Sequence, residues 1–280
     1  MTADRNPAAS LSARLDAEKV TALIQEVAAE EVLPRFRALR DEDVRTKAGG
    51  ELVTVADEAV ERSLTAGLAG LLPGSGVVGE EAVAADPELL ARVGDERPYW
   101  LIDPVDGTAN FAAGKPVFAV MVALVAGLET VMSWIHDPVG ARTAVAEAGA
   151  GAWLNGTRLG PVTAAEGPEL KGTLHTGRYG GRALDQRVQP LRERLGAIRS
   201  LRCAGHEYLR LSTGEMGYSL FTKLMPWDHA PGVLLYREAG GLARLLDDGH
   251  YDAHVVEGAP LLVARDEAIW TGIRDQIWPL

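Results

Sequence analysis

From Leu11 to Leu39 apolar residues recur every three or four positions, which predicts a long amphipathic helix after a frayed first ten residues. "ELVTVAD", beginning at Glu51, alternates like a strand. "DEAVERSLTAGLAGLL" then returns to helical spacing and stops at Pro73-Gly74. "GVVGEEA" and "PYWLID" read as short strands. "FAVMVALVAGLETVMSWIHDP" reads as two strands about Gly127, and "RTAVAEAGAGAWLNGTRLG" as another pair with Asn155-Gly156 as a hairpin turn. These strands form a meander, so the first half is expected to be an antiparallel sheet packed on helices.

Near "PVTAAEGPEL" the chain becomes loop-like, and the division is expected there: an α+β part over 11–162 and an α/β part over 163–280. The second part is expected to run strand "LKGTLHTG", helix Arg182 to Leu195, strand "AIRSLRC", helix "HEYLRLSTG", strand "YSLFTKLM", helix "WDHAPGVLLYREAGG", two closing strands and a last helix.

Composition narrows the function. The 28 basic and 39 acidic residues give a formal charge of −11, which argues against nucleic acid and against an anionic membrane surface. No apolar run approaches the roughly 20 residues of a membrane span. The polar start lacks a signal-peptide core, and the single cysteine, Cys203, allows no internal disulfide. These features point to the cytoplasm.

Several motifs have bland readings. "GSGVVG" fits the dinucleotide pattern but has helix before and strand after, the reverse of what pyrophosphate binding needs, so it is a plain turn. "TVAD" at Thr54 to Asp57 is a capping box, and Asp228 in "PWDHAPG" is an N-cap that could still turn one oxygen to a ligand. Glu80-Glu81 alone would be a solvated pair at a strand end. His136, His206 and His229 have no zinc spacing, and neither G-x-S-x-G nor a Walker A sequence occurs.

"WLIDPVDGTANF" is harder to dismiss. An apolar strand ends on Asp103, with Asp106 three residues on and Gly107-Thr108 directly after. A turn needs neither both acids nor a buried strand delivering them. The spacing does not suit an EF-hand, and it has one residue too many for the phosphoaspartate motif D-x-D-G-T. Glu80, Asp103, Asp106 and Asp228 each end an apolar strand or open a helix, so all can converge on one edge. Acids clustered without a basic partner are tolerable around cations, and all-oxygen ligands suit Mg²⁺ or Mn²⁺. With the bare N–H groups of Gly107 and Thr108 as a phosphate cradle, the set describes phosphomonoester hydrolysis.

"GEE" at Gly79 to Glu81, "WLIDPVDGTANF", "PWDHAPG" and the upstream "KAGGELVTVADEAVE" together resemble the inositol monophosphatase-like family of Mg²⁺-dependent phosphatases. The resemblance implies a layered α-β-α-β-α sandwich of α+β class, two or three Mg²⁺ per site with Mn²⁺ as a substitute, a small phosphorylated metabolite as substrate, and a homodimer. It implies that Glu80, Asp103 and the Val105 carbonyl hold a first metal, and that Asp103, Asp106 and Asp228 hold a second. Glu81 would be an outer or third-metal group, Asp57 and Thr108 the pair that orients the attacking water, and Lys47 a group near substrate and a third ion. Two departures matter. Ala82 stands where Ser or Thr is common, and Phe221 stands where inositol-specific members carry an acid, with Lys223 close by. An anion-bearing leaving group held by Lys223 is therefore expected in place of inositol. A catalytically silent or regulatory paralogue and a phosphoaspartate enzyme are the alternatives.

Overall fold

The computed structural model describes residues 11, 15–47, 49–93, 97–161, 171–177, 179–256 and 258–279. The expected division at 162/163 and the first ten residues lie outside them.

α1 (Ala17–Val27) is capped by the Asp16 carboxylate, which accepts from the Glu18 and Lys19 N–H groups. The long helix expected to reach Leu39 does not do so. It widens into a π-turn over Ala28–Val32, where the Leu33 N–H reaches back to the Ala28 carbonyl. Pro34 has no N–H to continue the ladder. β1 (Val44–Thr46) and β2 (Leu52–Thr54) pair as a small hairpin. Thr54 then caps α2 (Val55–Leu71), so the strand expected in "ELVTVAD" and the capping box share one short segment.

A seven-stranded sheet follows, in the order β3 (Gly76–Gly79), β4 (Tyr99–Asp106), β5 (Ala119–Ala126), β6 (Glu129–Asp137), β7 (Arg142–Glu147), β8 (Gly151–Leu154) and β9 (Thr157–Arg158). β4 to β9 form the expected antiparallel meander, while β3 runs parallel to β4. The segment read as one strand pair holds three strands. Asn155 and Gly156, both at positive φ, join the last two, as a primed hairpin turn requires.

Both faces of this sheet are covered, so β4 and β5 are almost continuously apolar yet still alternate. Trp100, Ile102, Val120, Val122 and Leu124 face α1 and α2. Tyr99, Leu101, Met121 and Ala123 face the second half. Helices α6 (Ala204–Ser212) and α7 (Pro226–Glu238) pack on that second face. Beyond them lies a four-stranded sheet, β10 (Gly172–Leu174), β11 (Tyr218–Phe221), β13 (Leu261–Ala264) and β12 (Leu242–Leu245). α5 (Gly181–Arg194) and α8 (Glu267–Ile277) cover its outer side. The result is the α-β-α-β-α sandwich. In the smaller sheet only β10 and β11 are parallel. "AIRSLRC" forms a single bridge from Ile198 to Thr173 and otherwise runs as a loop, with its polar groups turned to side chains. No described helix is long and apolar enough to cross a membrane.

Candidate active site

The spacing of Asp103 and Asp106 is a structural problem. Three residues apart on a regular strand, they would point to opposite faces. β4 carries a bulge between them, at Pro104-Val105: Asp103 pairs with Met121 and Asp106 with Ala119, so three steps on β4 match two on β5. Proline, which donates no N–H, is tolerated at such a bulge. The extra residue returns both acids to the face covered by α6 and α7, while Val105 packs on the other side. Gly107 follows at φ 88°, and a Cβ there would stand 2.9 Å from the Val117 carbonyl, so glycine is required. Thr108 opens the short helix α4 (Thr108–Ala112).

Glu80 and Glu81 do not end a strand. β3 stops at Gly79, and both begin α3 (Glu80–Ala85), where acids suit the positive helix end. Their turn is held by a residue the sequence reading missed. The Glu61 carboxylate, buried on α2, accepts from the Glu81 and Ala82 N–H groups at 2.8 Å each. A Cβ on Gly79 would lie 2.2 Å from that carboxylate. The available signal was an acid in the stripe Asp57, Glu61, Leu64, Leu68 on a helix face that must be buried.

Asp228 is not the N-cap of α7. Met225 holds that position, Pro226 supplies the first turn, and Asp228 is the third helical residue. Its carboxylate is therefore not used as a cap. Oxygen atoms of Glu80, Asp103 and Asp228 lie within 4.8 Å of one another, and Asp103 Oδ1 is buried with no hydrogen-bond partner. Burial first, then the charges of Glu80, Asp106 and Asp228, holds the Asp103 carboxyl well above its ordinary range. Asp228 is raised for the same reasons, chiefly burial and Glu80. A divalent cation fits this donor set, which is all oxygen and mutually repulsive.

Asp106 stands apart from that triad. Its Oδ2 accepts from the Gly205 N–H at 2.6 Å and from the Cys203 thiol at 3.0 Å, which ties it to the start of α6. Burial outweighs those bonds and lifts its pKa to about 6. It still lines, with Glu80, Asp103, Val105, Gly107 and Thr108, a cavity of about 280 Å³. Asp57 is fully buried and fixed through Oδ2 by the Thr54 N–H and hydroxyl, at 2.8 and 2.6 Å. Its other oxygen lies 3.2 Å from the Thr108 hydroxyl, which is also 3.0 Å from the Val105 carbonyl. Burial raises Asp57 to about 6, against the Thr54 hydrogen bonds.

A basic partner is present after all. The Lys47 ammonium bridges Glu80 at 2.8 Å and Glu81 at 2.7 Å. Burial alone would lower its pKa, but the two carboxylates raise it. Glu81 is lifted to about 7, mainly by burial, with Lys47 opposing. Lys223 lies beyond the end of β11, so strand alternation does not place it. It reaches the cavity from the following loop and pairs with Glu51. Phe221 stacks on Tyr208 with centroids 5.3 Å apart and lines an adjoining cavity.

The model of the inositol monophosphatase family matches residues 16–272. The chain belongs to the inositol monophosphatase family. It is a phosphoric monoester hydrolase. An inositol-1-monophosphatase of Mesorhizobium japonicum is 33% identical over 218 residues, covering 76% of this chain and 79% of the relative. The Nus factor SuhB of Pseudomonas aeruginosa is 32% identical over 238 residues, covering 80% and 85%. Among solved structures, inositol monophosphatase II from Staphylococcus aureus superposes with TM-score 0.76 at 21% identity, covering 92% of each chain. An IMPase/NADP phosphatase complexed with Mg²⁺ and phosphate gives 0.77 at 21%, covering 94% and 96%. The chain shares their fold.

Proposed function

We propose that the protein hydrolyses a small phosphate monoester with Mg²⁺ and a water nucleophile. The observation that carries this reading is the set Glu80, Asp103 and Asp228, with its unpartnered buried oxygen, beside the Gly107-Thr108 turn. Glu80, Asp103, Asp228, Asp106 and the Val105 carbonyl would hold Mg²⁺, which when bound acidifies water and neutralises phosphate charge. Thr54 locks one Asp57 oxygen so that the other faces Thr108. A water seated against Thr108 passes its proton through the hydroxyl to Asp57 as its oxygen attacks phosphorus. The N–H groups of Gly107 and Thr108 orient the phosphate. The new P–O bond forms from water, the bond to the alcohol oxygen breaks, and that oxygen takes a proton from solvent. The enzyme acts in this reading as a cytoplasmic homodimer, with Mn²⁺ replacing Mg²⁺ and Lys47 and Glu81 flanking a third ion.

Phosphate release should vanish in EDTA and return with Mg²⁺. In ¹⁸O-water the label should appear in phosphate, with no phosphorylated Asp103 trapped. Full activity in chelator would overturn the reading. An ¹⁸O result with a phospho-Asp103 peptide would favour the phosphoaspartate route instead. The similarity to Nus factors makes a regulatory role beside hydrolysis the second reading.

A further inference from the structure

Two cavities meet behind the acids. One, about 280 Å³, holds Glu80, Asp103, Gly107 and Thr108. The other, about 370 Å³, is walled by His175, Tyr179, Phe221 and Thr222. Glu51, Asp106, Arg202 and Lys223 line both. A phosphate in the first cavity would send its alcohol part toward the second.

Of the two cations at the junction, Lys223 is engaged: it pairs with Glu51 and lies 5.7 Å from the centroid of the Tyr179 ring. Among the described residues, no hydrogen bond or ion pair involves the Arg202 guanidinium. The Arg202 backbone, by contrast, is heavily constrained. It sits at φ 55°, a left-handed conformation uncommon for a residue other than glycine. Its N–H donates to the Ser200 hydroxyl at 3.0 Å. Asn110, on α4 beside the phosphate cradle, donates to the Leu201 carbonyl at 2.9 Å. The buried Glu207 carboxylate accepts from Ser200 at 3.1 Å, the Leu201 N–H at 3.0 Å, Thr173 at 2.8 Å and Ser219 at 2.7 Å. A loop held from outside by Asn110 and Glu207 thus keeps Arg202, exposed and with no side-chain partner among the described residues, in the lining of both cavities.

We propose that Arg202 determines specificity by binding a second anionic group, phosphate or carboxylate, on the alcohol part of the substrate. The planar fork of arginine matches either group with two parallel hydrogen bonds. The proposal rests on the phosphatase reading above and moves the anion contact from Lys223, whose charge Glu51 already balances, to Arg202. Glu207 acts here as a positioning residue.

The test uses the full chain with Mg²⁺ and matched substrate pairs. Fructose 1,6-bisphosphate against fructose 1-phosphate probes a distal phosphate; 3-phosphoglycerate against glycerol 3-phosphate probes a distal carboxylate. The wild type should favour the doubly anionic member of at least one pair in kcat/KM. Arg202→Ala should cut that preference by about tenfold or more, chiefly through KM, the size of one charge-assisted contact. Arg202→Gly, which suits the left-handed backbone, should behave the same, and Arg202→Lys should keep part of the preference. No preference in either pair, or a preference that survives both neutral variants within twofold, overturns the proposal. If none of the four compounds, nor p-nitrophenyl phosphate, releases phosphate, the phosphatase reading fails separately. Titration of fructose 1,6-bisphosphate into wild type and Arg202→Ala then decides: a tenfold weaker affinity in the variant supports the Arg202 contact, and equal affinities reject it.

Discussion

Asp103 shows how chemistry and stability conflict at a single side chain. It lies within a strand buried along its whole length, feels the charges of four other acids (Glu80, Asp106, Asp228 and Asp57), and has an oxygen with no partner. Replacing the carboxylate with an amide removes a like-charge contact and lets the new NH₂ donate to Asp228. In EDTA, Asp103→Asn should melt about 2–6 °C above wild type, if the relief is about 1–2 kcal/mol. Its phosphatase activity should fall by at least about 10²-fold. A variant that is less stable in EDTA yet active would contradict the reading of Asp103 as a metal-holding group. The acids themselves were legible in the sequence because an apolar strand has no ordinary reason to end on two carboxylates. Arg202, Glu51 and Cys203 were not legible: each gets its place from a segment remote in the chain, as when Cys203 donates to Asp106.

At the scale of elements, two small devices aim the acids, and the sequence reading named neither. The segment around Pro104 was expected as a turn, whereas a bulge there turns Asp103 and Asp106 to one face. The cap on α3 comes from α2 across space, through Glu61, and local spacing says nothing of such a partner. The long N-terminal helix was overextended because periodicity outlasted the hydrogen-bond ladder that Pro34 ends. Glu61→Ala would leave the Glu81 and Ala82 N–H groups without their acceptor and free Glu80 to turn. The expected cost is about 2–3 kcal/mol of stability, together with a Mg²⁺ requirement raised about 10–100-fold. Glu61→Gln, which keeps one acceptor oxygen, should fall between. Half-saturation by Mg²⁺, read from phosphate release, separates a positioning role from a purely structural one: an unchanged Mg²⁺ requirement in a destabilised Glu61→Ala would leave only the latter.

At the scale of the molecule, the site exists because α6 and α7 are shared between the two sheets. They bring Asp228 and the Arg202 loop over acids delivered by β4 and the β3–α3 turn. The consequence is a proton balance that can be measured. In the metal-free chain, burial places Asp57 and Asp106 near 6 and Glu81 near 7, all above their ordinary 3.8 and 4.5. The folded chain therefore keeps protons that the unfolded chain releases between about pH 4 and 7. Their contribution to stability is fully present below pH 4 and is lost as pH rises through 6 to 7. His136, His206 and His229 act in the opposite sense, since burial lowers all three. Their contribution is present above the ordinary histidine value and is lost as pH falls through the folded ones. Raw melting curves would mix the two. The difference between melting temperatures with saturating Mg²⁺ and with EDTA removes the histidine part, because those rings do not hold the ion. That difference should grow as pH rises from about 5 through about 7.5, because Asp103 and Asp228, also held well above their ordinary range, give up protons to the ion as well. Each proton displaced by Mg²⁺ strengthens apparent binding by up to about tenfold per pH unit below its pKa. A difference that stays constant across this range would mean that the acids are already ionised without metal, and that the cluster does not exchange protons for a cation.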